Sequence, residues 1–239
     1  MFNGTSLMNQ AFEGLIGSFM RRLTVVESRF VTPKVKITRL QGNLKGFNFQ
    51  LGDAVAVLVG ERKLRNYTAA FVDLNLGFLD IVAHIHGNGP ASHFFEHLQL
   101  GAEVQVSIPR GKSFYDASVK KQVFFGDETA LGFAVSLLPF FKKHKHDFHY
   151  CFELEAENKN SPALLGLSNY TVFPKDGSLV DQTWMEQQSD FCFADWQSAN
   201  FIITGNVNSV QTLRKLVKNE TLANKIYSKG YWLAGKKAL

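Results

Sequence analysis

Residues 123–138, VFFGDETALGFAVSLL, decide how the second half of the chain folds. A hydrophobic strand pattern runs into Gly126, and apolar residues at helical spacing follow it. Many nucleotide-binding folds place a phosphate at a turn of this kind. Here two carboxylates, Asp127 and Glu128, occupy the turn instead. The stretch predicts a strand–turn–helix unit with an acidic turn, and the purpose of the two charges has to be explained.

Strands and helices alternate on both sides of this unit. Strand patterns cover residues 122–126, 148–154 and 200–205, and helical patterns cover 128–143 and 207–218. Residues 156–190 give no clear pattern. Alternation of this kind is typical of a parallel sheet covered by helices, in which ligands bind at the carboxyl ends of the strands.

The chain before this region has a different texture. Short β-rich runs are separated by turn-forming segments such as LNLG, GNGP and PRGK, and one short helix, SHFFEHLQ, interrupts them. Many short strands at close spacing favour an antiparallel barrel or sandwich. The runs cover residues 35–40, 53–60, 67–73, 78–85 and 102–108. The change of pattern near residues 115–120 predicts a boundary between two domains.

An amphipathic helix is predicted at the start of the chain, over residues 8–23. Its apolar residues recur at steps of three and four, as on one helix face: Phe12, Leu15, Ile16, Phe19, Met20 and Leu23. We expect this helix to pack on its own domain or on a second subunit, which leaves a homodimer contact open. Docking on a membrane is the less favoured interpretation.

The composition excludes several classes of protein. A hydrophobic fraction of 45% and a charged fraction of 20% over 239 residues are those of a soluble globular chain. The net charge of +5 is a modest excess, and the densest basic run, FKKHKH at 141–146, falls at a predicted helix end, so we expect no nucleic acid partner. Cys151 and Cys192 cannot form a disulfide framework, which favours the cytoplasm, and no apolar run is long enough to span a membrane.

Two segments of the first half contain candidate binding residues. In LRNYTAAFVD, Arg65 and Tyr67 project to one face of a strand and Thr68 to the other, a set that suits a charged, planar, hydrogen-bonding ligand. An ordinary strand explains the same residues. In HIHGNGPASHFF, Gly87, Gly89 and Pro90 allow a sharp turn.

The helix after that turn has Ser92 as its predicted N-cap. Exposed N–H groups at a helix start bind phosphate readily, although a plain capped turn is the alternative. The histidines of the region lack the spacing of a metal-binding motif, so we expect no metal site from them: they are His84, His86, His93 and His97.

Together, five segments resemble one family, the siderophore-interacting proteins, which form an FAD-dependent branch of the ferredoxin–NADP reductase superfamily. RNYTAAFVD is similar to the family's R-x-Y-T segment, and DIVAHIHGNGPAS to its stretch ending in G-P-A-S. PRG at 109–111 resembles the close of its barrel, GDETAL its D-E-T-A motif, and YSKGYWLAG its C-terminal aromatic segment. The resemblance covers about residues 34–239, with the motifs in the same order.

The resemblance implies an antiparallel flavin-binding β-barrel followed by a Rossmann-like α/β nucleotide-binding domain. It divides the chain into an N-terminal helix (1–30), an FAD-binding barrel (31–117) and an NAD(P)-binding α/β domain with a C-terminal aromatic segment (118–239). Arg65 would contact an FAD phosphate, Tyr67 would lie against the isoalloxazine ring, and Thr68 would hydrogen-bond its edge. Either His84 or His86 would approach the flavin.

Two further sets follow from the resemblance. The pyrophosphate would be held at the short helix by Gly89, Ala91 and Ser92. The nicotinamide nucleotide side would be lined by Asp127, Glu128, Thr129 and Ala130. The family segment usually continues as R-x-Y-T-x-R, where this chain has Ala70, so one phosphate contact is missing or replaced. Gly132 stands where many members have proline, and Phe94 and Phe95 where many have tryptophan.

The acidic turn then has an explanation. If the phosphate seat is the GPAS helix of the barrel, Asp127 can cap N–H groups at the next helix start, and Glu128 can favour the positive end of its dipole. Both carboxylates would repel a pyrophosphate, so a nicotinamide cofactor would bind lightly and leave quickly.

The implied activity is an FAD-dependent NAD(P)H oxidoreductase that reduces a ferric siderophore or another iron chelate. Lys236 and Lys237, after Tyr231 and Trp232, are candidates for binding an anionic chelate. NADH and NADPH are not distinguished, although Glu153 or Glu155 could accept a ribose hydroxyl. The alternatives are a general flavin-dependent reductase that passes electrons to a ferredoxin-like protein, and a flavin-binding protein without turnover.

Overall fold

The N-terminal half of the protein is a closed β-barrel. In the computed structural model, which describes residues 19–87, 89–177 and 193–236, all neighbouring barrel strands pair antiparallel. Around the barrel the order is β1-β2-β5-β4-β3-β6, and β6 pairs with β1 to close it. The strands are β1 (Met20–Thr32), β2 (Val35–Gln41), β3 (Ala54–Leu58), β4 (Leu64–Asp73), β5 (Phe78–His84) and β6 (Glu103–Ser107). The expected barrel is confirmed.

A short helix, α1 (Pro90–His97), packs Phe95 into the barrel core, where that side chain is fully buried. The Lys36 side chain of β2 fixes the far end of this helix. Its ammonium donates to the carbonyls of Phe95 at 2.8 Å, Glu96 at 3.0 Å and Leu98 at 3.3 Å. A helix end leaves its last carbonyls without i+4 donors, and the Phe95 carbonyl here also accepts the Leu98 N–H at 3.4 Å. The buried lysine therefore adds to the C-cap of α1.

The second half is a five-stranded parallel sheet with the order β11-β10-β7-β8-β9. Its strands are β7 (Lys121–Asp127), β8 (Asp147–Leu154), β9 (Tyr170–Pro174), β10 (Asn200–Asn206) and β11 (Lys225–Trp232). Its helices are α2 (Leu131–Lys143), α3 (Ser161–Leu164) and α4 (Val207–Glu220). The chain leaves β7 towards β8 on one side and reaches β10 on the other, which makes the carboxyl end of β7 the topological switch point.

Barrel and sheet share one hydrophobic cluster. Val35, Ala70 and Val82 of the barrel pack with Phe124 and Phe133 of the α/β domain. A Cβ at Gly132 would lie 3.1 Å from the carbonyl oxygen of Thr68. Glycine at that position lets the start of α2 approach strand β4 closely.

Three sequence-based expectations need correction. The helix predicted over residues 8–23 is wrong for its last part, because Met20 begins β1; residues 1–18, and with them the rest of that helix and its dimer contact, lie outside the described residues. Strand β1 therefore adds to the barrel residues 20–30, which the predicted division had assigned to the N-terminal helix. The edge strands β9 and β11 were not predicted.

The basic run at 141–146 lies at the end of α2, as expected. Lys142, Lys143, His144 and Lys145 are exposed. His146 departs from the expectation: it is buried, and the Tyr115 hydroxyl lies 2.6 Å from its Nε2. The run is therefore a solvated helix end with one structural histidine. Among the described residues, no helix is both long and apolar enough to cross a bilayer.

Candidate functional site

Strand β4 presents its three candidate residues to two different surroundings. Tyr67 is partly buried against the barrel core, with its ring 4.8 Å from that of Phe95 in α1. Burial raises the pKa of the Tyr67 hydroxyl, which therefore stays protonated at neutral pH. Thr68 points to the α/β domain, and Arg65, partly exposed near the start of the strand, donates to the carbonyl of Leu64 at 2.8 Å.

The GPAS segment starts helix α1 one turn earlier than predicted. Gly89 is the N-cap, Pro90 is the first helical residue, and no side chain caps the helix. Ser92 is therefore not the N-cap: its buried hydroxyl accepts the backbone N–H of His86 at 3.1 Å and holds the loop in place. Because Pro90 has no N–H, the amides of Ala91 and Ser92 are the first that this helix start presents.

The two candidate histidines have opposite environments. His86 is exposed, and a Cβ on Gly89 would lie 3.0 Å from its ring. His84 is 9% exposed and faces the α/β domain, where Glu128 and Glu155 are its acidic neighbours. Burial lowers the pKa of His84, and the positive charge of Lys175 acts in the same direction. We therefore expect a neutral imidazole at position 84.

Asp127 joins the carboxyl ends of three strands. Its Oδ1 accepts the backbone N–H of Thr129 at 2.8 Å, which confirms the expected cap. Its Oδ2 accepts the backbone N–H of Asn206 at 2.9 Å and the indole N–H of Trp232 at 2.7 Å. Gly205, at a φ of +115°, makes room for this carboxylate, since a Cβ there would lie 2.7 Å from Asp127 Cγ. Both oxygens are thus engaged within the protein.

Glu128 is fully buried and does not line an open cleft. Its Oε2 lies 2.6 Å from the ammonium of Lys175, and its Oε1 accepts the backbone N–H of Glu155 at 2.7 Å. Burial alone would raise the pKa of this carboxyl, but Lys175 and these hydrogen bonds lower it below its usual value. Of the four residues expected on the nicotinamide side, only Thr129 is partly exposed; Asp127, Glu128 and Ala130 are buried.

The C-terminal aromatic segment closes the junction between barrel and sheet. The Tyr231 hydroxyl hydrogen-bonds to the side chains of Thr68 in β4 and Thr204 in β10, and burial raises its pKa to about 12. Lys175 lies 5.1 Å from the centre of the Trp232 ring. Tyr231 therefore connects the strand that carries Tyr67 to the carboxyl edge of the parallel sheet.

A narrow crevice opens at the switch point between β7 and β10. Its lining residues are Gly126, Asp127, Glu153, Thr204, Asn206, Ser209 and Leu213. The Glu153 carboxylate, a candidate for a ribose hydroxyl, already accepts the hydroxyl of Ser209 at 2.9 Å. Burial raises the pKa of Glu153. Lys236 is exposed in the turn after β11, and Lys237 lies outside the described residues.

Comparisons with known proteins agree with this architecture. Residues 22–115 match the family model of the oxidoreductase FAD-binding domain. The matched residues cover the barrel. A search of curated protein sequences finds no match.

Solved structures with a similar fold include siderophore proteins and reductases. A siderophore utilization protein from T. fusca is 21% identical, with a TM-score of 0.72 over 92% of this chain and 95% of that one. The siderophore-interacting protein of Acinetobacter baumannii is 19% identical, with a TM-score of 0.73 over 90% and 91%. Phthalate dioxygenase reductase is 14% identical, with a TM-score of 0.73 over 93% and 71%. The expected resemblance is confirmed at the level of the fold, which this chain shares with these structures.

The residues of the FAD-binding barrel fit FAD. Arg65 offers a cation for a phosphate, the start of α1 offers two backbone donors, and the Tyr67 ring offers an aromatic surface. Position 70 contributes nothing to such a site, because Ala70 is 3% exposed and packs beneath α2. The arginine that the resemblance led us to expect near this position is therefore absent from it.

Sequence reasoning missed several residues of this region. Lys175 was overlooked because it lies in the segment without a clear pattern, although its position just after β9 puts it at the carboxyl edge of the sheet. The sequence pattern also did not indicate a role for Lys36. Nor did it indicate the bidentate pair of Arg39 with Asp80, in which both hydrogen bonds are 2.7 Å long. Single charged residues are common in strands, so neither stood out.

Proposed function

We propose that the protein is a cytoplasmic FAD-dependent NAD(P)H oxidoreductase that reduces the iron of a ferric siderophore or a similar ferric chelate. The observation that carries the proposal is the FAD-binding barrel packed on the carboxyl edge of a parallel sheet, with Thr68 and Tyr231 in contact at the junction. Bound FAD supplies the redox chemistry: it takes two electrons as a hydride and can give them up one at a time to iron(III).

The barrel residues bind and orient the cofactor in this proposal. Arg65 neutralises phosphate charge, and the amides of Ala91 and Ser92 donate to the pyrophosphate at the positive end of α1. Tyr67 supports the ring system on the barrel side. His86 is the histidine that approaches the cofactor, because it is exposed beside Gly89, whereas His84 faces Glu128.

The sheet residues shape the place for the nicotinamide nucleotide. Thr129 is the partly exposed residue of the turn. The crevice lined by Thr204 and Asn206 lies next to this turn, at the switch point. Asp127 and Glu128 do not contact the nucleotide; they fix the turn and its neighbouring strands through internal hydrogen bonds and the Lys175 pair. Because both carboxylates are engaged inside the protein, repulsion by open carboxylates is not expected to set the affinity for the nucleotide.

The substrate class is tested through the C-terminal lysines. Iron(II) formation is followed with a coloured iron(II) chelator, using full-length FAD-loaded protein, NADH or NADPH, and an anionic ferric chelate. We expect Lys236→Ala to raise the half-saturating chelate concentration by about 1.5- to 5-fold, the worth of an exposed charge pair, and the double change with Lys237→Ala to raise it further.

Lys218→Ala is the matched control, because Lys218 is equally exposed but lies at the far end of α4, away from the carboxyl edge. An unchanged half-saturating concentration in the double variant would remove both C-terminal lysines from the substrate site.

A second candidate function is electron transfer to an iron–sulfur protein. It is favoured by the fold shared with phthalate dioxygenase reductase, described as transferring electrons from pyridine nucleotides to [2Fe-2S]. Turnover with a [2Fe-2S] protein and with a ferric chelate, compared at equal donor concentration, separates the two. Faster reduction of the iron–sulfur protein would favour this second function.

A further inference from the structure

A histidine and two carboxylates from distant parts of the chain meet beside the junction of barrel and sheet. His84 ends strand β5, Glu128 follows β7, and Glu155 follows β8. One potential ligand atom of each residue lies within 4.8 Å of the other two. No segment of the sequence contains this set, because only the docking of the barrel on the sheet brings the three together.

His84 carries the unexplained feature of this cluster. Its side chain is buried, yet its Nε2 has no hydrogen-bond partner among residues 19–87, 89–177 and 193–236. A buried ring nitrogen without a partner is unfavourable, and an unpaired polar atom in a native interior calls for an explanation such as a bound ion. The neighbouring groups are two carboxylates, which attract a cation.

The ion pairs of the two neighbouring lysines do not prevent a cation from binding to the cluster. Lys175 lies on Oε2 of Glu128, whereas Oε1 of the same carboxylate accepts from the Glu155 amide and, at 3.3 Å, from Asn158. Lys34 pairs with Glu155 at 3.2 Å but also with Glu157. Both partners of Lys34 are partly exposed, so giving up one of these pairs costs little. Glu155 can therefore turn to a cation while Lys34 keeps Glu157.

We propose that His84, Glu128 and Glu155 bind a divalent first-row transition metal ion. One imidazole nitrogen with two carboxylate oxygens is a donor set that Zn²⁺, Fe²⁺, Co²⁺ and Mn²⁺ accept. Bonds of about 2.0–2.2 Å require the donors to close inward by roughly 1 Å from their present separation. The Glu155 side chain, 34% exposed, can make this movement and offers access from solvent.

The site has a use in the reaction proposed above, and this one point rests on that function. Reduction of a ferric chelate transfers one electron to iron(III) and yields Fe²⁺, which binds the chelate less strongly. A histidine–dicarboxylate site beside the junction would hold that Fe²⁺ before its release. The metal site itself does not depend on the reductase activity.

The test is calorimetric titration of the metal-stripped full-length protein with Zn²⁺, and with Fe²⁺ under anaerobic conditions. We expect one ion per chain, with binding at least about 10- to 100-fold weaker in His84→Ala and about 10-fold weaker in Glu155→Gln. His86→Ala is the control, because the His86 ring lies 5.6 Å from that of His84 but is in no such cluster within the described part of the chain. This variant should bind the metal nearly as the wild type does.

Glu155 is partly exposed, so its conservative change keeps the fold even if His84→Ala does not. Absence of saturable binding to the wild type, or equal weakening in His84→Ala and His86→Ala, would overturn the assignment. The titration uses neither FAD nor a nicotinamide donor, so its failure is distinguishable from a failure of the proposed reductase.

Discussion

Replacing Lys36 by methionine tests how a buried lysine holds the helix proposed to bind FAD phosphates. Methionine keeps most of the apolar stem but removes the donors at 2.8, 3.0 and 3.3 Å from the carbonyls of Phe95, Glu96 and Leu98. A buried carbonyl that loses its donor costs about 1–3 kcal/mol. The total is smaller than three such losses, because the Glu96 contact is only partly buried, Phe95 keeps the Leu98 N–H, and the ammonium no longer has to be desolvated. We expect a net loss of about 2–4 kcal/mol, which lowers Tm by roughly 4–16 °C for a chain of this size.

The assay is thermal and urea unfolding of the FAD-free protein, followed by titration with FAD. Lys34→Met is the matched control two residues earlier, since the Lys34 side chain is 42% exposed and solvent screens its ion pairs. We also expect Lys36→Met to weaken FAD binding, because a frayed α1 presents its first amides less well. A Lys36→Met variant as stable as Lys34→Met would refute the capping argument.

Three further changes test other parts of the account. Tyr67→Ala should weaken FAD binding by about 1–3 kcal/mol, the range found for nucleobase stacking on aromatic side chains, whereas Tyr67→Phe should retain it; fluorescence titration with FAD measures both, and equal affinity of the alanine variant would place the ring elsewhere. Glu128→Gln should cost about 3–5 kcal/mol at pH 7, because it leaves Lys175 without its anion, and urea unfolding measures this. The folded-state pKa of Glu128 is lowered, so its contribution is present above the unfolded pKa of about 4.3 and is lost as the pH falls through the folded value; the gap between wild type and variant should shrink in acid, and a gap independent of pH would contradict the pairing. Tyr231→Phe should cost about 1–2 kcal/mol in the same measurement by removing the hydrogen bonds to the threonines of β4 and β10, and an unchanged stability would mean that these bonds do not join the two domains.

Much of the fold could be predicted from the sequence where the hydrophobic pattern was regular. Strands β3 and β6 alternate between buried and more exposed residues. Strands β7, β8 and β10 are buried along most of their length, as strands of a parallel sheet covered on both faces are. The helix predicted over residues 20–23, where β1 begins, was wrong for a physical reason. Met20 and Leu23 are three residues apart, as on a helix face, but in β1 they lie on opposite faces and both are covered.

The two edge strands of the parallel sheet could not be predicted from the sequence pattern either. Strand β11 is only partly buried and contains Lys225 and Lys229, and β9 is five residues long. Edge strands bury one side and carry charges that discourage pairing with other chains, so they lack the apolar run of central strands. Their absence from the predicted sheet follows from this difference.

Within the candidate site, local effects could be predicted and long-range contacts could not. The Asp127 cap depends on residues two positions apart, and it was predicted. The contacts of Asp127 with Trp232, of Glu128 with Lys175, and of Glu128 with His84 depend on the packing of separate elements. Sequence spacing carries no information on such contacts, which is why the buried carboxylates were expected to face a ligand.

The most direct test of the central claim is the visible absorption of the FAD-loaded protein mixed anaerobically with NADH or NADPH. We expect at least one donor to bleach the flavin bands and a ferric chelate added afterwards to restore them as iron(II) forms. A protein that holds FAD tightly but is bleached by neither donor would contradict the oxidoreductase and leave a flavin-binding protein without turnover.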